Sequence, residues 1–114
     1  QDTLDMAMEL NCEFANFYST MAYPGSKLYL DALREGWELP ETYVGFSQHS
    51  YETHPLSTKH ISAAEVLGFR DEAFTKYYTS DRYLDMIEEK RGKATRQSIE
   101  DMTKIKLKRK LLGD

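Results

Sequence analysis

The chain has 114 residues, 40% hydrophobic and 30% charged, which allows one small domain at most and is too apolar for intrinsic disorder. No apolar run approaches the ~18 residues of a membrane-spanning helix, and Gln1-Asp2-Thr3-Leu4-Asp5 is acidic where a signal peptide would be basic. The net charge of −4 conceals an asymmetry: residues 1–89 hold 6 Lys/Arg against 16 Asp/Glu, residues 90–114 hold 9 against 3.

Residues 2–11 are predicted as a short helix, with Leu4, Ala7 and Met8 on one face, Asp2 as N-cap and Asp5 three residues on. With no leader and no initiator Met, the sequence reads as a piece of a longer one. Cys12 is the single cysteine. It permits no internal disulfide, fits a reducing, cytoplasmic compartment, and is expected as a small buried hydrophobe, since Asn11 and Glu13 supply no base to activate it.

Residues 13–21, aromatic- and hydroxyl-rich without Gly or Pro, are predicted as a β-strand. Ala15, Phe17, Ser19 and Met21 share one face; Phe14, Asn16, Tyr18 and Thr20 share the other. A single strand makes no sheet, so its partners belong to the remainder of a longer chain or to a second copy, and a homodimer of the fragment is expected to cover the strand edge. Tyr23-Pro24-Gly25-Ser26 marks a turn. Ser26 then caps a helix to about Glu35, which Gly36 closes.

Residues 37–59 show no period. Trp37, Tyr43, Phe46 and Tyr51 punctuate a polar loop long enough to be functional. His49, Glu52 and His54 cluster there, but their spacing matches no metal-ligand pattern. Residues 58–79 are predicted as the longest helix. Arg70 falls on its apolar stripe, where a guanidinium needs a carboxylate or points at an anion. Ser80 caps a helix over 81–91, which Gly92 ends. A last helix is predicted over 95–112, with Lys104, Lys106, Lys108, Arg109 and Lys110 mostly outward.

Two stretches carry a resemblance. One is Asn16-Phe17-Tyr18-Ser19-Thr20-Met21-Ala22-Tyr23-Pro24-Gly25-Ser26-Lys27-Leu28-Tyr29; the other is Leu56 to Phe74, ending Phe69-Arg70-Asp71-Glu72-Ala73-Phe74. With the Leu107-Lys108-Arg109-Lys110-Leu111 tail, they resemble the C-terminal part of radical SAM enzymes of the cobalamin-binding class. That class includes the anaerobic magnesium-protoporphyrin IX monomethyl ester oxidative cyclases. The resemblance implies a mostly α (α+β) chain: residues 1–36 as the last helix–strand–helix unit of a partial (β/α) barrel, residues 37–114 as a C-terminal extension of about three helices. It implies S-adenosylmethionine and a [4Fe–4S] cluster, with cobalamin in some members, as cofactors of the parent enzyme.

The resemblance sets Ser19, Thr20, Met21 and Tyr23 on the S-adenosylmethionine side of the barrel. Trp37, Tyr43, Tyr51 and Arg70 are the candidates for controlling access of a small-molecule substrate. It also implies Pro at position 22 and sometimes Cys at 19, where this chain has Ala22 and Ser19. The cluster requires a Cys-x₃-Cys-x₂-Cys loop, and one cysteine cannot supply it. The expectation is therefore a fragment that completes a barrel for oxidative cyclisation or methyl transfer and is inactive alone. The rival expectation is a stand-alone helical interaction module using the basic last helix. The tail lacks the interleaved aromatics that stack on bases, which argues against nucleic acid.

Overall fold

The structure, a computed structural model, describes residues 1–114. It is all-α: α1 (Asp2–Leu10), α2 (Lys27–Glu35), α3 (Ala63–Thr79), α4 (Asp81–Arg91) and α5 (Lys93–Lys104), with single 3₁₀ turns at Tyr43–Phe46 and Lys110–Leu112. None of the helices is long and apolar enough to cross a membrane. Two compact units divide the chain. One comprises Gln1–Phe17 and Asp71–Lys106, the other Tyr18–Arg70 and Leu107–Asp114.

The expected strand at 13–21, and with it the mixed helix–strand fold and the last barrel unit, is overturned: no β-strand is present. Burial along the segment nevertheless alternates. Phe14, Asn16, Tyr18 and Thr20 are exposed, while Phe17, Ser19 and Met21 are buried. That is the period of extended backbone, so the two faces were correctly separated. What fails is the ladder: the main-chain groups of Glu13, Ala15 and Ser19 are bonded to side chains instead.

In the first unit, three tyrosines do this. Tyr77 donates its hydroxyl to the Cys12 carbonyl and Tyr83 donates to the Glu13 carbonyl at 2.7 Å. Tyr78 both donates to the Ala15 carbonyl at 2.7 Å and accepts from the Ala15 N–H at 2.9 Å. The rings support one another, with centroids 5.0 Å apart for Tyr77–Tyr78 and 5.1 Å for each contact to Tyr83. Such aromatic pairs add stabilisation beyond their buried area. Around them pack Leu4 of α1, Ala73 of α3, Leu84 and Ile87 of α4, and Phe17. The hydroxyls are satisfied although the rings are buried, as buried polar groups must be.

Local signals set the helix ends. α1 begins at Asp2, the residue expected as its cap: Gln1 occupies the N-cap position and makes no side-chain cap bond. It closes on Asn11 in the left-handed region, a conformation that Asn tolerates better than most residues. Cys12, expected inside, is exposed, because the chain has just left the helix there. Ser80 caps α4 by accepting from Tyr83 N–H at 3.2 Å, and α4 and α5 meet at Gly92, whose φ is 91°. α5 stops at Lys104 rather than near residue 112. The Lys104-Ile105-Lys106-Leu107-Lys108 alternation has a period of two, which a helix cannot present on one face. Arg109, expected outward, is buried.

In the second unit, the Tyr23-Pro24-Gly25-Ser26 turn forms as the sequence requires, with Gly25 at φ 87°. Ser26 caps α2 by accepting from Tyr29 N–H at 3.1 Å. α3 starts at Ala63, five residues later than expected at 58. Ser62 accepts from Glu65 N–H at 3.2 Å while donating to the Glu65 carboxylate at 3.1 Å, a capping pair that fixes the helix start. Within the long loop, a Cβ on Gly45 would stand 2.4 Å from Cβ of Pro40, so only glycine fits that approach.

Candidate functional site

The sequence singles out eight residues as site candidates, all of which fall in the second unit. Three of them, Ser19, Tyr23 and Arg70, meet around two residues it does not single out for that role, Gln48 and His49. The Gln48 side-chain amide clasps the Ser19 main chain, accepting from its N–H at 2.9 Å and donating to its carbonyl at 2.9 Å. Its Nε2 also donates to the Tyr23 hydroxyl at 3.0 Å. An amide side chain thus offers one acceptor and one donor where a neighbouring strand would offer a carbonyl and an N–H.

Arg70 is 7% exposed. Its Nη2 lies 3.2 Å from Nε2 of His49. A guanidinium only donates, so Nε2 accepts and this contact needs a neutral imidazole. The His49 ring also meets Tyr18 edge-on at a centroid distance of 6.3 Å. The expected partner for Arg70 was a carboxylate or an anion; a histidine is one partner it has. His54 faces a different group, Glu38, at 3.8 Å, so His49 and His54 do not converge. No group of three His, Cys, Asp or Glu is arranged to hold a metal ion.

The other candidates do not gather. Thr20 is exposed and Met21 is buried, and the Thr20 carbonyl accepts from Leu56 N–H at 2.9 Å. The Ser19 hydroxyl is buried without a hydrogen-bond partner. Trp37 and Tyr43 are exposed. Tyr51 is spent on the chain terminus, donating to the Asp114 carbonyl at 2.9 Å. Phe46 packs between Tyr23 and Tyr29, with centroids at 6.2 and 6.4 Å, which draws the aromatic loop towards the Pro-Gly turn.

Thr53, which the sequence does not single out, and Arg109, expected to face outward, are both almost wholly buried, at 1% and 0% exposure. Ile105 and Leu107, on the same parity as Arg109, stay exposed, so the alternation of the tail does not mark Arg109 as buried. The first unit carries a separate feature, an open apolar groove of about 450 Å³ lined by Phe14, Phe74, Ile87 and Met102 among others. Glu13 and Arg91 also line it and are bonded to each other at 2.7 Å. The Arg91 guanidinium, with help from Lys90, holds the Glu13 carboxyl below its ordinary value.

Set beside known protein families, curated proteins and solved structures, the chain matches none of them.

Proposed function

We propose that this chain is the C-terminal part of a radical SAM enzyme, where its aromatic loop shapes substrate access, and that it does not catalyse a reaction alone. The observation that carries the reading is the grip of Gln48 on Ser19 and Tyr23. Through it, the loop 37–59 is fastened to residues that the sequence resemblance assigns to the S-adenosylmethionine side. The support is therefore the motif together with this attachment. The reading no longer includes a barrel strand at 13–21.

The residues present do not fit the iron–sulfur cluster. It needs three thiolates and Cys12 is alone, so no step is assigned to it in this chain. Ser19 and Met21 turn inward while Thr20 and Tyr23 turn outward, and these four do not form one donor set for S-adenosylmethionine. What the chain supplies is surface. Leu30 and Leu33 of α2, with Trp37 beyond its end, stay exposed, a run of apolar groups suited to burial against the remainder of a parent chain or a second copy.

The test begins with the coding sequence upstream of Gln1. A Cys-x₃-Cys-x₂-Cys segment in the same frame is expected. The longer chain, reconstituted with iron and sulfide without oxygen, should then reductively cleave S-adenosylmethionine to 5′-deoxyadenosine, while residues 1–114 alone do not. An open reading frame without that cysteine triad refutes the proposal.

A second reading, an interaction module using the basic tail, is favoured by the exposure of Lys104, Lys106, Lys108 and Lys110. It requires binding to anionic vesicles or nucleic acid that weakens steeply as salt rises.

A further inference from the structure

The end of the chain folds back onto the turn that carries Gln48 and His49. Arg109 is fully buried in the second unit. Its Nη1 donates to the Ser50 carbonyl and to the Thr53 hydroxyl, both at 2.9 Å, and its Nη2 donates to the Gln48 carbonyl at 2.9 Å. Next to it, Lys110 N–H donates to the Tyr51 carbonyl at 2.8 Å. The Tyr51 hydroxyl returns a bond to the Asp114 carbonyl, and the Asp114 carboxylate accepts from Arg109 N–H at 2.9 Å. The turn is internally tied as well: the Thr53 hydroxyl bridges the Ser47 and Ser50 carbonyls at 2.6 and 2.7 Å.

One residue's two faces thus serve two purposes. The Gln48 carbonyl is held by Arg109, while its side chain holds Ser19 and Tyr23. The neighbouring His49 accepts from Arg70. A guanidinium is a rigid planar fork that reaches several oxygens at once, whereas an ammonium is a point charge on a flexible stem. With the fork removed, the carbonyls of Gln48 and Ser50 lose a charged donor inside the unit, and the turn has fewer constraints on its register.

We propose that residues 107–114 form a strap that orders the 48–53 turn, and that Arg109 is its positioning residue. It acts on Ser19, Tyr23 and Arg70 through Gln48 and His49. Removing or displacing the strap frees the turn and releases the aromatic loop. That this release governs substrate access rests on the function proposed above; the ordering itself does not.

The experiment is amide hydrogen exchange on the full chain, wild type against Arg109→Ala, Arg109→Lys and a chain ending at Lys106. The diagnostic amides are Ser19, bonded to the Gln48 side chain, and His54, bonded to the Gly45 carbonyl. In Arg109→Ala and in the shortened chain both are expected to exchange about tenfold faster, as for local opening after loss of a charge-assisted bond. The α2 amides should be unchanged. Arg109→Lys should recover only part of the protection. Millimolar guanidinium added to Arg109→Ala should restore it at Ser19, and the His49 imidazole ¹⁵N shifts should return with it. Unchanged exchange at Ser19 and His54 overturns the proposal. So does equal acceleration throughout α2, which would make Arg109 a general stabiliser of the unit. Neither outcome depends on the cysteine triad, so this inference and the enzyme reading fail separately.

Discussion

Replacing Tyr83 with Phe keeps the ring against Tyr77 and Tyr78 and removes one oxygen. That oxygen donates to the Glu13 carbonyl at 2.7 Å, and the residue is 1% exposed, so water does not readily replace the lost donor. A buried carbonyl left without its partner costs about 1–2 kcal/mol, and the retained ring leaves packing almost untouched. Tyr83→Phe should therefore lower unfolding free energy by about 1–2 kcal/mol near neutral pH.

The same phenol gives a second signature. Burial, followed by the neighbouring Tyr78, Tyr77 and Glu13, pushes its pKa from 10.0 to about 12. The folded state holds the proton that the unfolded state releases first. Stability linked to Tyr83 is thus complete below pH 10.0 and is lost as pH rises towards 12. Two pH units bound that loss at about 3 kcal/mol. Tyr83→Phe lacks this loss, so the gap between variant and wild type should narrow across the alkaline range. Tyr77, whose pKa burial also raises, leaves some alkaline sensitivity in both proteins. Urea titration followed by far-UV circular dichroism, repeated in steps up the alkaline range, measures each effect. A variant as stable as wild type at neutral pH, or a gap that stays constant up to pH 12, refutes the account of the tyrosine trio.

Ser19→Ala removes a buried hydroxyl that has no partner. It should leave the second unit equally stable or up to about 1 kcal/mol more stable, read from the fluorescence of Trp37, and a clear loss would mean the hydroxyl is satisfied in solution. Ser80→Ala deletes the cap on Tyr83 N–H and should cost about 1 kcal/mol, seen as a lower thermal midpoint. Arg91→Gln removes the main cause of the lowered Glu13 pKa. The carboxyl should move up towards 4.5 in an NMR titration. In the wild type, the Glu13 contribution is present above 4.5 and is lost as pH falls through the lower folded value. A Glu13 titration unmoved by the substitution would show that the ion pair does not persist in solution.

Helices were legible where one helical face and its caps agreed. Ser26 with Gly36, and Ser80 with Gly92, mark α2 and α4 at their true ends. α3 was extended too far because Thr58 and Ser62 are both plausible starts, and only the return bond of Glu65 chooses between them. The last helix was overrun because lysines are good helix formers, whereas the two-residue alternation after Lys104 was the better guide. The segment 13–21 shows the limit most clearly. Which side chains share a face was readable from period two, but a period does not say which face turns in or what satisfies the main chain. For its first residues the answer lay 63 to 70 residues away, in Tyr77, Tyr78 and Tyr83. Of the residues gathered around the 48–53 turn, Arg70 stood out by chemistry and Tyr23 only through the resemblance, while Gln48 and Arg109 work through backbone oxygens and carry no motif.

Three phenols take carbonyls from residues 12–15 and none of those residues' side chains. Anchoring there is blind to identity. The Phe14 side chain, 71% exposed, takes no part in these three bonds, so replacing it leaves the anchored carbonyls on either side in place. Phe14 and Asn16 line the apolar groove, so a change at either position alters what the groove presents while the tyrosines behind keep hold of the backbone.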